Sequence, residues 1–319
     1  SDSWNAFDRW RLGWKPKGHQ YFVSARCQDG ITEVNTDLTY RQPLACDTVL
    51  LRDFVKYGDA VRIAFPYLQS ENEAVTQQWL WLENRQMLPG SVDHKPETTK
   101  GLYAFVQVGK GDTARFDGNA NHISALCGFG NYDFEYDVSS DALMTGNRSE
   151  NPFTGYHFLM RQGVDLPGKN DSPPDGIIQG EEYFHAKSVV FNNDTLPAEN
   201  INSEWGVYFG TKYDAFTAGR KIGIGTNPAA VPLLTHKTSS NNSKPYKEFA
   251  DYDNRKIYLN GISVEIIEEV LKPNGDGNDL KLVIRWGDFK VENDVRWCGD
   301  IVLTDTLILA QKQTIRLEQ

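Results

Sequence analysis

Histidine and cysteine are scarce in this chain, and their placement removes the commonest metal chemistry. The six histidines, His19, His94, His122, His157, His185 and His236, never fall into an H-E-x-x-H frame. The helix that would give one zinc ion two ligands and a general base is therefore missing. The four cysteines, Cys27, Cys46, Cys127 and Cys298, contain no Cys-x-x-Cys pair, which excludes a zinc ribbon. A G-x-S-x-G elbow for a serine nucleophile is absent, and Gly219, Gly223 and Gly225 are followed by Pro228 where a dinucleotide loop needs a helix. No apolar run approaches the roughly 20 residues that span a bilayer as a helix, and no charged segment with an apolar stretch follows Ser1. The sequence reads as a soluble, mature or truncated chain with no membrane span. Basic clusters are lacking too: 33 Lys and Arg against 43 Asp and Glu give a net charge of −10. Nucleic acid, which needs a concentrated basic face, is not an expected partner.

Aromatic residues are what the chain has in quantity. With 8 Trp, 14 Tyr and 16 Phe, it has far more to bury than a disordered sequence. A length of 319 residues supports a large core, and by length about two domains. Short runs of β-forming residues separated by turn residues predict strands at 20–25, 31–34, 48–54 and 60–65, a meander preceded by one helical turn within residues 1–14 capped by Asp2 or Ser3. The apolar run Trp79-Leu80-Trp81-Leu82 predicts a strand covered on both faces. It runs on into Glu83-Asn84-Arg85-Gln86, where alternation sends Glu83 and Arg85 to one side and Asn84 to the other. After a turn at Pro89 and Gly90, residues 101–108 are its expected strand partner.

From 109 to 180 the strand pattern gives way to Gly, Asn, Asp, Ser and Pro with aromatic islands, which predicts a long irregular insertion. Beyond it, β-rich runs at short intervals point to an antiparallel β-sandwich. Within them, residues 263–271 and 280–286 around Asn274-Gly275-Asp276-Gly277-Asn278-Asp279 give a strong hairpin signal. The expected fold is mostly β: a strand meander over 1–108, a loop-rich insertion over 109–180 and a sandwich over 181–319.

The pair of strands around Glu83-Asn84-Arg85-Gln86, the Pro-Gly turn and the Gly101-Leu102 start resembles the immune inhibitor A-like zinc metallopeptidases. There a similar pair lies beyond the zinc helix. The opening Trp4-Asn5-Ala6-Phe7-Asp8-Arg9-Trp10-Arg11-Leu12-Gly13-Trp14 is similar to the segment that follows the zinc site in that family, and Asp214-Ala215-Phe216 with Thr226-Asn227-Pro228 is similar to a later segment of its large secreted members. The resemblance covers about the first third of the chain by motif. It implies a non-catalytic C-terminal portion, with the peptidase domain upstream of Ser1, and a structural role for Glu83 and Arg85 in bracing the strand pair against the opening segment. It leaves open that the chain is part of an active zinc metallopeptidase.

Several residues are candidates for more specific roles. Cys27 and Cys46 are close enough in sequence to bridge one hairpin, the alternative being free buried thiols. Asn274, Asp276 and Asn278 alternate as calcium ligands would, although Asp279 and Arg285 stand where a helical calcium loop needs Gly and Glu. Trp205, beside Glu204 and Gly206, is the candidate aromatic platform for a sugar, whereas Trp79, Trp81, Trp286 and Trp297 sit in apolar runs that read as core. Thr48, Thr113, Thr195 and Thr306 each follow Asp and precede an aliphatic residue or alanine, similar to the O-glycosylation acceptor of envelope-exporting gliding bacteria. Residues 300–319 are similar to the strands that precede the sorting domain of type IX secretion cargo. The combined expectation is an extracellular or surface protein without an evident cofactor, binding a protein or a glycan; a lectin-like module is the alternative from another class.

Overall fold

The computed structural model describes residues 4–39, 44–65, 78–92, 100–108, 122–126, 128, 132–137, 142–150, 189–191, 194–196, 201–202, 207–208, 215–226, 256–259, 261–273, 275–292, 295–298, 300–313 and 315–318. Two short helices accompany the leading strands: α1 (Ala6–Arg11) and α2 (Phe54–Tyr57). The strands of the first part are β1 (Ser24–Cys27), β2 (Glu33–Asn35), β3 (Asp37–Leu38), β4 (Val49–Leu51), β5 (Val61–Ala64), β6 (Gln78–Arg85), β7 (Gly101–Val108) and β8 (His122–Leu126). The protein is mostly β.

β6 is the centre of a five-stranded sheet ordered β3-β5-β6-β7-β8. It pairs antiparallel with β7, Gln78 opposite Val108 and Arg85 opposite Gly101, so the two strands run together over their full length. The period-2 alternation of a strand then separates its side chains cleanly. Leu80 and Leu82 enter one hydrophobic cluster, while Trp81, with Trp79 beside it, packs on the other face with Ala6, Phe7, Val23, Phe54 and Ala60. Both faces of β6 are covered, as its unbroken apolar run predicts.

The second large sheet has six strands, all antiparallel, in the order Lys221–Ile222, Ser263–Leu271, Asn278–Arg285, β4, β1, β2. The hairpin between Ser263–Leu271 and Asn278–Arg285 carries a bulge at Ile267. Its second strand pairs with β4, Leu280 opposite Leu51. The first and last thirds of the chain, read from the sequence as a meander and a separate sandwich, therefore share one sheet. They share one core as well: Val49, Leu51, Val264, Ile266, Leu280 and Leu282 belong to the same buried cluster as Leu38, Ile63, Leu80, Leu82, Leu102 and Val106 of the five-stranded sheet.

Three local readings are corrected. The cap of the opening helix is Asn5, whose side chain accepts the Asp8 N–H at 2.8 Å, because an N-cap must lie within three residues of the amide it satisfies; Asp2 and Ser3 are too far upstream. Part of the stretch read as irregular is strand: β8 extends the five-stranded sheet, and Tyr132–Asp137 pairs with Ala142–Glu150. The strand read at 48–54 ends at Leu51, because Asp53 caps α2 by accepting the Lys56 N–H at 2.8 Å.

One close approach ties a distant segment to β7. Leu102 and Phe216 exchange two backbone hydrogen bonds of 2.8 Å, and Phe216 is fully buried. At Gly101, with φ +145°, a Cβ would stand 2.5 Å from the Phe216 carbonyl oxygen, so a residue without a side chain is required there.

Candidate functional site

The polar end of β6 is densely hydrogen-bonded. The Glu83 carboxylate is fully buried; one oxygen accepts the Ala6 N–H at 2.9 Å and the other accepts Arg85 Nε at 2.7 Å. Arg85 also donates to the Trp4 carbonyl at 3.3 Å, so this pair holds the opening segment on the sheet. Burial pushes the Glu83 carboxyl upward, opposed by Arg85, the Ala6 amide and Arg9. Arg9 itself is lowered by burial to about 10, still cationic at neutral pH.

The next residue points the opposite way. Asn84 donates to the Leu51 carbonyl at 2.9 Å and to the Asn278 carbonyl at 2.8 Å, both in the six-stranded sheet. Gln86 donates to Asn84 Oδ1 at 2.7 Å, accepts the Asn278 N–H at 2.8 Å, and gives its own N–H to Asp53 at 2.8 Å. All four side chains of Glu83-Asn84-Arg85-Gln86 are thus occupied by scaffold contacts, and the helix and both sheets meet there.

A second polar cluster resembles nucleophile machinery in its residue types. His19 Nδ1 lies 2.8 Å from Ser24 Oγ and 3.9 Å from Glu33, and its Nε2 lies 3.8 Å from Asp59. Nucleophilic catalysis needs a serine that meets substrate and a carboxylate within hydrogen-bond reach of the imidazole. Ser24 is 1% exposed, and Asp59 is committed to a bidentate pair with Arg52 at 2.9 and 2.8 Å. The cluster is a buried brace. Sequence reasoning missed it because its members share no motif spacing.

The other candidate residues fall in different places. Cys27 and Cys46 lie side by side as half-buried thiols; burial and the adjacent Cys27 push the Cys46 thiol up to about 12. Asp276 accepts Lys56 Nζ at 2.6 Å and the Tyr57 hydroxyl at 3.3 Å. The Asn278 amide donates to Glu269 at 3.0 Å. These side chains serve protein partners, while Asn274, the third calcium candidate, lies outside the described residues, as do Trp205 and Thr113. Thr306 is exposed, Thr48 half-buried, and Thr195 sits in the strand Asp194–Leu196. Among the described residues no group of three His, Cys, Asp or Glu stands close enough to hold a metal ion.

A candidate for ligand contact among the described residues is a cleft of about 500 Å3 beside the six-stranded sheet. Trp286, read as core, follows directly on the end of the strand Asn278–Arg285; it packs on the core yet is half-buried and lines this cleft. Around it Lys221 Nζ bridges Asp288 at 2.7 Å and Glu292 at 3.1 Å, Lys290 meets Glu292 at 2.6 Å, and Arg285 meets Glu265 at 2.5 Å. Ser263 donates to Asp288 at 2.8 Å. Burial would raise the Asp288 carboxyl, but Lys221 and Ser263 outweigh it and hold it below the ordinary value. Glu292 is likewise held low, chiefly by Lys290. The cleft offers ionised acceptors and donors fixed by one another beside an aromatic ring, an arrangement suited to hydroxyl-rich ligands.

Comparison with protein-family models, with the curated proteins and with the solved structures found no match to this chain.

Two outcomes follow from this geometry. Removing one partner of the buried pair, by Glu83→Ala or Arg85→Ala, leaves the other charge unpaired; each variant is expected to lose about 3–5 kcal/mol in chemical denaturation, against about 1 for an exposed pair. An unchanged midpoint would show that the pair is not a brace. Burial lowers the His19 pKa below its ordinary 6.5, so the folded state holds the ring neutral where the unfolded chain takes a proton. Its contribution is complete above 6.5 and is lost as pH falls from there through the lower folded-state pKa. Thermal melts across this range should decline for the wild type and decline less for His19→Asn.

Proposed function

We propose that this chain is a non-catalytic β scaffold of a secreted or surface-displayed protein, the accessory portion of an immune inhibitor A-like metallopeptidase. The observation that carries the reading is the occupation of Glu83, Asn84, Arg85 and Gln86. The residues through which the chain resembles that family are spent on holding the opening segment, α2 and the far sheet together, the work of a scaffold. Under this reading the peptidase domain belongs to another part of the precursor, the partner of the chain is an extracellular protein or glycan, and Thr48 and Thr306 are accessible enough to be tested as O-glycosylation acceptors.

A second reading, carbohydrate binding, is favoured by the cleft at Trp286. A half-buried indole beside Lys221, Asp288, Lys290 and Glu292 gives a sugar ring a stacking face and fixed hydrogen-bonding partners.

The isolated chain is expected to carry no stoichiometric zinc by elemental analysis and to leave a peptide library uncut. One tightly bound zinc per chain with chelator-sensitive cleavage would overturn the scaffold reading. For the second reading, affinity electrophoresis through soluble polysaccharides should retard the wild type and not Trp286→Ala, the loss corresponding to about 1–2 kcal/mol of aromatic contact. Equal retardation of both proteins would remove Trp286 from any glycan site.

A further inference from the structure

All four exposed aromatic side chains among the described residues, Trp4, Trp14, Tyr21 and Phe22, fall within 19 residues of chain, at 54%, 55%, 39% and 47% exposure. Leu12 joins them at 41%. The opening segment is not exposed for want of a core: Ala6 and Phe7 are buried, and Trp10 packs against Trp81 at 5.9 Å between ring centroids. The outward rings are held by a rigid base. Trp4 is anchored through its carbonyl to Arg85, the Trp14 N–H donates to the Arg9 carbonyl at 3.0 Å, and the two indoles touch with centroids 5.5 Å apart.

The charge around these rings is opposite to that of the chain. Residues 9–22 contain Arg9, Arg11, Lys15 and Lys17 and no carboxylate, in a protein of net charge −10. Arg9 is spent internally on the Gly58 carbonyl, but Arg11, Lys15 and Lys17 are exposed. Arg11 shares its charge with Asp8 at 3.4 Å, whereas Lys15 reaches a neutral partner, the Gln20 carbonyl, at 3.5 Å. That bond sets the lysine after Trp14 beside the backbone that leads into Tyr21 and Phe22, so one segment of chain carries both the exposed rings and the cations, as a single corner.

We propose that this corner is a peripheral docking surface for a lipid bilayer containing anionic headgroups. Indole and phenol rings favour the headgroup boundary, where an apolar body and a polar tip are both satisfied, and neighbouring lysines add attraction to anionic lipid. A sugar is a poorer occupant. The two indoles are tilted by 52° and give no flat platform, and the carboxylates beside the segment are already engaged, Asp8 by Arg11 at 3.4 Å and Glu33 by the Gln20 and Tyr21 amides at 3.0 and 3.2 Å. The docking is independent of the metallopeptidase reading and requires no spanning element.

The test is co-sedimentation of the whole chain with vesicles of phosphatidylcholine alone or mixed with phosphatidylglycerol. Binding to the mixed vesicles is expected, at least about tenfold tighter than to phosphatidylcholine and weakened at about 1 M salt, where the Debye length is about 3 Å. Lys15→Ala and Lys17→Ala should each cost about fivefold. The double variant Trp4→Ala/Trp14→Ala should lose at least about tenfold with an unchanged melting temperature, since both rings are more than half exposed. If that variant melts lower, quenching of wild-type tryptophan fluorescence by vesicles with brominated acyl chains decides instead. Failure to sediment with mixed vesicles at low salt, absence of quenching, or full competition by a soluble sulfated polysaccharide overturns the proposal; the last outcome would assign the corner to an anionic glycan.

Discussion

A carboxylate removed from water must be held by donors that the fold cannot release, and Glu83 imposes this constraint on everything around it. Its oxygens take the first amide of α1 and the Arg85 guanidinium. Displacing the opening segment would take away the Ala6 N–H and leave one buried carboxylate oxygen without its donor, at a cost of about 1–3 kcal/mol. One residue along, the same strand turns Asn84 toward the other sheet and fastens it to Leu51 and Asn278. Because successive side chains of a strand point to opposite faces, four consecutive polar residues lock two layers that lie on opposite sides of β6. Neither layer can move without breaking bonds in the middle.

The packing of α1 follows from how the chain uses its cations. Arg62 lies over the faces of Trp10, Trp79 and Trp81 at 4.0, 4.4 and 5.2 Å and is paired to Asp37 at 3.2 Å. Arg9 and Arg85 lie over Phe54 at 4.5 and 5.2 Å. A planar, weakly hydrated guanidinium can be buried against rings where an ammonium would demand water. Each stack contributes on the order of 1 kcal/mol. The tryptophans near β6 are therefore partners in a cation-filled interface, which explains why so aromatic a segment also carries so many arginines.

The parts of this architecture legible in the sequence are those fixed by local pattern. The run Trp79 to Leu82, the partner strand beginning at Gly101 and the hairpin around Asp276 could be read because their periodicity and turn residues decide them. Alternation alone put Glu83 and Arg85 on one face and Asn84 on the other. The register that joins the Asn278–Arg285 strand to β4 was not legible, since it depends on which apolar faces meet across a long separation. The same applies to His19, Ser24, Glu33 and Asp59, which converge from separate turns and strands. Trp286 was read as core because its neighbours are apolar; only the end of its strand and the turn at Gly287 open its ring to the cleft.

What remains after the scaffold has taken its share differs between the cleft at Trp286 and the corner of Trp4 and Trp14. In the cleft each cation is matched by a carboxylate within 3.1 Å, so the field there is short-ranged and a ligand must be recognised by hydrogen-bond geometry. At the corner of Trp4 and Trp14 the lysines lack that compensation, and they form a positive island on an acidic protein. Screening decides what such an island can do. At physiological ionic strength the Debye length is about 8 Å, so a surface touching the corner responds to its cations and not to carboxylates farther away. The net charge of the chain is −10, so away from its local cations the protein adds no overall attraction for an anionic surface. Under the docking proposed for this corner, local attraction favours the orientation that brings the exposed indoles of Trp4 and Trp14 to the surface.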